Sequence, residues 1–421
     1  MRAMAGWGRL QARTGAAYLE SPMPPSIRSI RRWYLMPTLL LLAAASLAQA
    51  GGQFLPTGDM TSARAVYGVA KLHDGRVLYT GGIADFGVHL QVAELYEPAS
   101  GTFLAAGPMT EIRMRPTVAT LADGRVLVLG GRGGKNGDAL ETAELYDPVS
   151  GLFEATGSMA GPRYVGSATL LPDGRVLVAG GLTARDILSS AELYDPATGT
   201  FSPTADLLEP RVQPETVRLA DGRVLFAGGD GVDGPLGSAE IYDPASATFV
   251  ATGSMVQARS VHSQVLLDDG RVLIVGGSDA GWSGGFPIYY TQAELFDPAT
   301  GTFTPTGSLA FPRELQSAAL LPDGRVLVAG GAHLAGNPGS VTVPTAEIYD
   351  PSTGTFSVAG DMAVPRYEAA AITLDDRSIL FAGGWAFAGD TVGDMPTDAA
   401  ERFVPDVVDP IFADGFEGAP D

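Results

Sequence analysis

Asp-Gly-Arg-Val-Leu, followed by two further residues and Gly-Gly, occurs at 74–82, 123–131, 173–181, 221–229, 269–277 and 323–331, and a degenerate seventh copy runs from Asp376 to Gly384. Successive copies begin 49, 50, 48, 48, 54 and 53 residues apart. Self-similarity at a fixed period constrains a chain more than any local propensity, because each unit is then one supersecondary piece that buries its apolar surface against its neighbours. A unit of about fifty residues suits one four-stranded propeller blade. Length alone, 421 residues, would suggest two or three domains. The repeat replaces them with one.

The copies share more than their glycines. Ten residues before each Asp stands an Arg, giving Arg64, Arg113, Arg163, Arg211, Arg259, Arg313 and Arg366. Downstream comes Ala-Glu-Leu-Tyr-Asp-Pro or a close variant, with Glu94, Glu144, Glu192, Glu240, Glu294, Glu347 and Glu401. Seven residues after the aromatic of that segment comes a Phe, as in Tyr96 to Phe103, Tyr194 to Phe201 and Tyr349 to Phe356. In this order and spacing, the paired glycines, the Glu, the Tyr and the second aromatic resemble the kelch repeat over roughly residues 53–405. Phe stands where that family has Trp, and a buried Phe fills the same space. The resemblance implies an all-β fold, a seven-bladed β-propeller of four-stranded antiparallel blades, with the first strand of each blade innermost.

Each unit parses into strands a to d. In residues 163–201, Tyr164 to Leu171 reads as strand a, Asp173-Gly174 as a two-residue hairpin turn and Arg175 to Gly181 as strand b. Strand b is apolar without interruption, as expected for a strand covered on both faces. Ser190 to Tyr194 reads as strand c, and Thr200 to Thr204 as strand d. Strand d is marked by Phe54, Phe103, Phe153, Phe201, Phe249, Phe303 and Phe356. The first of these precedes every other element, while the seventh unit ends at Pro405 with no such strand after it. The N-terminal strand is therefore expected to complete the last blade and leave no bare sheet edge. Residues 51–405 form one propeller domain in this reading, and a monomer is expected.

Residues 1–50 have the layout of a signal peptide. Arg28, Arg31 and Arg32 form a basic region, Leu35 to Leu47 is mostly apolar, and Ala48-Gln49-Ala50 is a small-x-small cleavage site. The apolar run is short for a span, which needs about 20 residues. The expected location is therefore the periplasm, the medium or the cell surface, with no stable membrane span after cleavage. The whole chain carries 27 Lys and Arg against 47 Asp and Glu; removing six Arg and one Glu with the leader leaves 21 against 46, a net of −25. Such a surface repels nucleic acid and anionic membranes. Residues 406–421 carry none of the repeat marks and form an acidic-aromatic tail, similar to those that end exported proteins of Gram-negative bacteria.

Seven copies of one residue cannot all serve one site, so the repeated Arg, Glu and Gly are structural and function is sought where the units disagree. Alternating strand directions put the b–c loops and the d–a connections on one face. From the second Gly to the Glu of strand c the separation is 12, 13, 11 and 11 residues in units one to four, then 17, 16 and 17. Loops that lengthen on one side of a rigid ring mark a binding surface. Trp282 and Trp385 fall there, the two tryptophans of the mature chain, as do Phe286, Tyr289 and Tyr290. The residues just after each Arg also vary: Tyr67, Arg115, Tyr164, Gln213, Glu215, His262, Glu314, Gln316, Tyr367 and Glu368. With strand a innermost, these line the channel mouth. Aromatic edges with polar groups between them suit a glycan or an extended protein or peptide ligand.

The alternative is a sugar-active enzyme of epimerase or mutarotase type, similar to the periplasmic kelch epimerase of sialic acid, with Glu215, Glu314, Glu368 and His262 as acid–base groups. A purely structural surface module is a third reading. No cofactor is expected. The chain has no Cys, which removes the Cys–Tyr cofactor of galactose oxidase, the best-known kelch oxidase, and its four His lack metal-ligand spacing. Asp390, Asp394 and Asp398 are spaced by four in a Gly-rich loop, and Gly-Arg-Gly-Gly at 131–134 opens no helix that could hold phosphate.

Overall fold

Each of the six Asp-Gly pairs closes a hairpin in this computed structural model, for example at Gly174 with φ 87°. In the seventh copy Arg377 adopts φ 70° in the same place. The turn is braced from its own sequence: Asp173 Oδ1 accepts the N–H of Arg175 at 3.1 Å, and the Arg175 guanidinium folds back to Oδ2 at 2.8 Å. The structure describes residues 51–133, 137–279, 287–334, 340–387 and 393–406. The leader, Trp282, Phe286, Asp390 and the tail beyond Asp406 lie outside the described residues. Among those described, helix is limited to one short 3₁₀ turn, Asp85–Gly87, and no helix is long and apolar enough to cross a membrane.

Among the described residues the hairpins build seven four-stranded antiparallel sheets. In the third, Ser167–Leu170, Val176–Ala179, Ala191–Asp195 and Thr200–Pro203 follow one another from a to d. From the first sheet to the seventh, strand a of each lies beside strand a of the next. The chain is an all-β propeller, and these sheets are its blades. Strand b is fully buried in every blade, as the uninterrupted apolar run required. It is the middle of a sandwich: Leu177 and Ala179 of blade 3 share a core with Val224, Phe226 and Tyr242 of blade 4. The Phe of strand d lies on the Tyr of strand c, with ring centroids 4.8 Å apart for Tyr194 and Phe201.

The seventh blade takes its outer strand from the N-terminus. Gly52–Pro56 pairs antiparallel with Ala400–Pro405, Phe54 opposite Phe403. A second closure lies at the inner strands, where the Tyr67 hydroxyl of blade 1 donates to the Ala382 carbonyl and accepts the Ala370 N–H of blade 7.

The repeated Arg and Glu pair within each blade, in all seven. Arg211 Nη2 donates to Glu240 Oε1 at 2.7 Å with both side chains buried, and Nη1 donates to the carbonyls of Gly228 and Ser238. Glu240 Oε2 accepts the Leu208 N–H, so the pair ties the d–a connection to the top of strands b and c. The second Gly of each blade donates its N–H to the carbonyl of the next blade's Arg, and Gly384 of blade 7 closes the series on Arg64 of blade 1 at 2.8 Å. Side chains are excluded there: a Cβ on Gly81 would lie 2.2 Å from the Arg113 carbonyl oxygen.

Candidate functional site

Two residues after each repeated Arg the backbone turns left-handed. Val66, Arg115, Val165, Gln213, Val261, Leu315 and Glu368 have φ between 47° and 54°. This conformation costs a residue with a Cβ roughly 1–2 kcal/mol. The sevenfold recurrence makes it a property of the fold, and inter-blade bonds hold it, such as Arg115 N–H to the Val66 carbonyl at 2.8 Å and Gln213 N–H to Val165 at 3.0 Å. All seven residues line one central channel of about 440 Å³, together with Tyr67, Glu215, His262 and Gln316.

The left-handed residue also explains a correction. Tyr164, Glu314 and Tyr367, each directly after its Arg, are not among the channel-lining residues. They pair instead with the residue following Gly-Gly: Tyr164 with Leu182, Glu314 with Ala332, Tyr367 with Trp385. A second tier of short β pairings thus stands above the blades, and in blades 2, 4, 6 and 7 the b–c loop returns as a further short strand. Side chains of this tier meet across blade boundaries. Arg132 lies 5.4 Å over the Tyr164 ring, and Ser278 Oγ donates to Glu314 Oε2 at 2.5 Å.

At the mouth, Arg115 of blade 2 reaches Glu368 of blade 7 at 2.7 Å, and Trp385 Nε1 donates to the other Glu368 oxygen at 2.9 Å. Tyr367 stacks on Trp385 with centroids 6.4 Å apart and planes 17° off parallel. Tyr289 faces His333 at 6.2 Å, whereas Tyr290 covers the guanidinium of Arg259 at 5.0 Å and so belongs to a structural latch. His262 is buried, with Nε2 3.1 Å from the Gln264 amide nitrogen and Nδ1 unpartnered. Burial holds its pKa down to about 3, leaving a neutral ring. Glu215 is exposed to the channel by surface area yet encircled by its wall, which pushes its carboxyl up to about 7; solvent reaching it tempers that shift. It has no side-chain partner among the described residues.

Residues 163–208, the third unit, match the family described as the Kelch motif. The other units carry the same marks, in degenerate form in the seventh, and each unit contributes to a four-stranded sheet of its own. The chain is a kelch-repeat protein. Solved structures similar to this kelch chain include a fungal alcohol oxidase of the AA5 family in complex with copper, 20% identical, covering 84% of this chain and 76% of that one with a TM-score of 0.67. YjhT is 14% identical and covers 72% of this chain and 99% of its own, with a TM-score of 0.56. At these identities the likeness is one of fold. A search of curated proteins gives no match.

The copper of the first neighbour does not fit this kelch chain. The channel wall offers a single imidazole, His262, whose Nε2 is engaged, and the chain lacks Cys. Among the described residues no three His, Asp or Glu converge as metal ligands. Asp394 faces the Tyr367 hydroxyl, and Asp398 receives the Met60 N–H through its carbonyl. Sequence reasoning missed Asp230, which follows Gly-Gly in blade 4 and is 2% exposed. Burial pushes it up to about 6, countered by the Ser260 hydroxyl and reinforced by Glu314. Its signal was available, since no other unit places a carboxylate directly after Gly-Gly. A kelch propeller of this kind is built as a binding or structural module.

Proposed function

We propose that the chain is an exported, non-catalytic binding protein that holds a glycan or peptide at the channel mouth, on the face carrying the long b–c loops. One observation carries this reading: the seven equivalent left-handed positions around the lumen are not uniform, being Val three times and Arg, Gln, Leu and Glu once each, while the latch positions around them are uniform. A wall that varies on an invariant frame is what selective recognition needs. Trp385 and Tyr367 offer an aromatic platform beside the Arg115–Glu368 pair, and Ile288, Val341 and Phe387 leave apolar surface exposed on the surrounding loops.

The test is a thermal-shift screen of residues 51–421 against sugars and peptides, since a ligand that binds only the folded state raises its melting temperature. Trp385→Ala and Trp282→Ala should each weaken a hit by ~1–3 kcal/mol, as anchor residues do. Asp173→Asn on the turn face should leave affinity intact. A hit indifferent to both tryptophans places its site elsewhere.

The enzymatic reading has one observation in its favour, the near-neutral Glu215 carboxyl. The other proposed acid–base carboxylates are engaged, Glu314 by Ser278 and Glu368 by Arg115 and Trp385. Epimerisation or mutarotation of any sugar by the wild type, lost in Glu215→Gln with affinity retained, would establish it.

A further inference from the structure

The charges that line the channel are few, and all but one are accounted for. Arg115 and Glu368 neutralise each other at 2.7 Å, and His262 is an uncharged ring. Glu215 alone has neither a hydrogen bond nor a counter-ion among the described residues, although its own backbone carbonyl is taken by the Gln264 amide. Two polar atoms of channel-lining residues, Gln316 Oε1 and His262 Nδ1, also have no partner among the described residues, and both are shut off from solvent behind the channel surface.

We infer that this channel selects a ligand bearing a primary ammonium group, with the Glu215 carboxylate as its counter-ion. The inference rests on the binding reading above and narrows its ligand class. An ammonium supplies three donors and a positive charge to a site that lacks both, and no protein cation competes because Arg115 is already paired. The acidic surface works in the same direction, raising the local concentration of cations. A carboxylated ligand would meet Glu215 with like charge and find no free guanidinium.

Two matched pairs test it at about pH 8, where the Glu215 carboxyl is ionised and an alkylamine is still an ammonium: 6-amino-6-deoxyglucose against its N-acetylated twin, and Nα-acetyl-lysine amide against its Nε-acetylated twin. Calorimetry should show at least one amine binding about tenfold or more tighter than its neutral twin, the scale of a charge-assisted hydrogen bond. The pair showing the preference tells whether the ammonium comes from a sugar or a peptide. Glu215→Gln should abolish the preference, and Glu215→Asp should keep its sign, each checked for unchanged melting. Neutral twins binding as tightly as the amines, a preference that survives Glu215→Gln, or no amine binding at all overturns the inference. A neutral glycan that binds and is lost in Trp385→Ala leaves the broader function standing while this inference falls.

Discussion

Replacing Phe54 by Ala should open the seventh blade selectively. Phe54 lies on Phe403 at 5.1 Å and on Phe381 at 5.9 Å, and joins the apolar cluster that blades 6 and 7 share. Full burial of a Phe is worth ~3–5 kcal/mol on truncation, and a half-buried ring in two aromatic contacts should lose ~3. Phe201→Ala in blade 3 is the matched control, because Phe201 is also half-buried and lies 4.8 Å from Tyr194. The two strands differ in one respect. Strand d of blade 3 continues from strand c through a short turn, whereas Gly52–Pro56 reaches Ala400–Pro405 from the far end of the chain. Once loosened, only the second can leave without pulling its neighbour. Native-state hydrogen exchange should therefore show roughly a hundredfold faster opening of Leu55 and Arg402 amides in Phe54→Ala. In Phe201→Ala the corresponding blade 3 amides should change mainly with global stability. Equal patterns in the two variants would refute the argument that the N-terminal strand is the ring's separable closure.

Other outcomes are expected from the buried groups. Glu240→Gln strands the buried Arg211 guanidinium and should cost ~3–5 kcal/mol in denaturant titration, while Arg211→Met combined with Glu240→Leu should cost less than either single change. Gly384→Ala places a Cβ 2.6 Å from the Tyr367 carbonyl at φ +89° and should lower the melting temperature sharply, whereas Gly161→Ala, with nothing within 4 Å, should not. His262 is held near 3 when folded and titrates near 6.5 when unfolded, so its stability contribution is present above pH 6.5 and is lost as pH falls toward 3. Wild type should therefore lose about 2 kcal/mol more than His262→Gln between about pH 7 and pH 5, measured by urea unfolding.

The sequence carries the ring plainly because its signals are local and repeated. Asp-Gly specifies a turn, an unbroken apolar run specifies a strand buried on both faces, and a Phe without its own unit specifies the seam. The repeated Arg and Glu were legible as structural from their sevenfold recurrence, though not their pairing within one blade. The site was legible only in part, for a reason of geometry. The left-handed backbone at Arg115, Val261 and their equivalents has no residue signature, since glycine is absent from all seven positions. Side chains one residue apart, such as Tyr367 and Glu368, therefore part company, the first to the upper tier and the second to the lumen. Pairings across blades, such as Arg115 with Glu368, span 253 residues and leave no trace in spacing.

At the seam, the Gly51 N–H donates to Asp406 Oδ2 at 3.0 Å, and the Asp406 N–H donates to the Gly51 carbonyl at 3.1 Å. The two ends of the propeller thus meet within hydrogen-bonding reach, and the polypeptide is a circle cut at one point. Joining 51 to 406 through a short Gly-rich linker and cutting at another c–d turn, such as Ala197-Thr198, would give a permuted protein with the same blades. The identity of the first strand is then a matter of where the circle was opened, and each blade in turn could be the one completed from both ends.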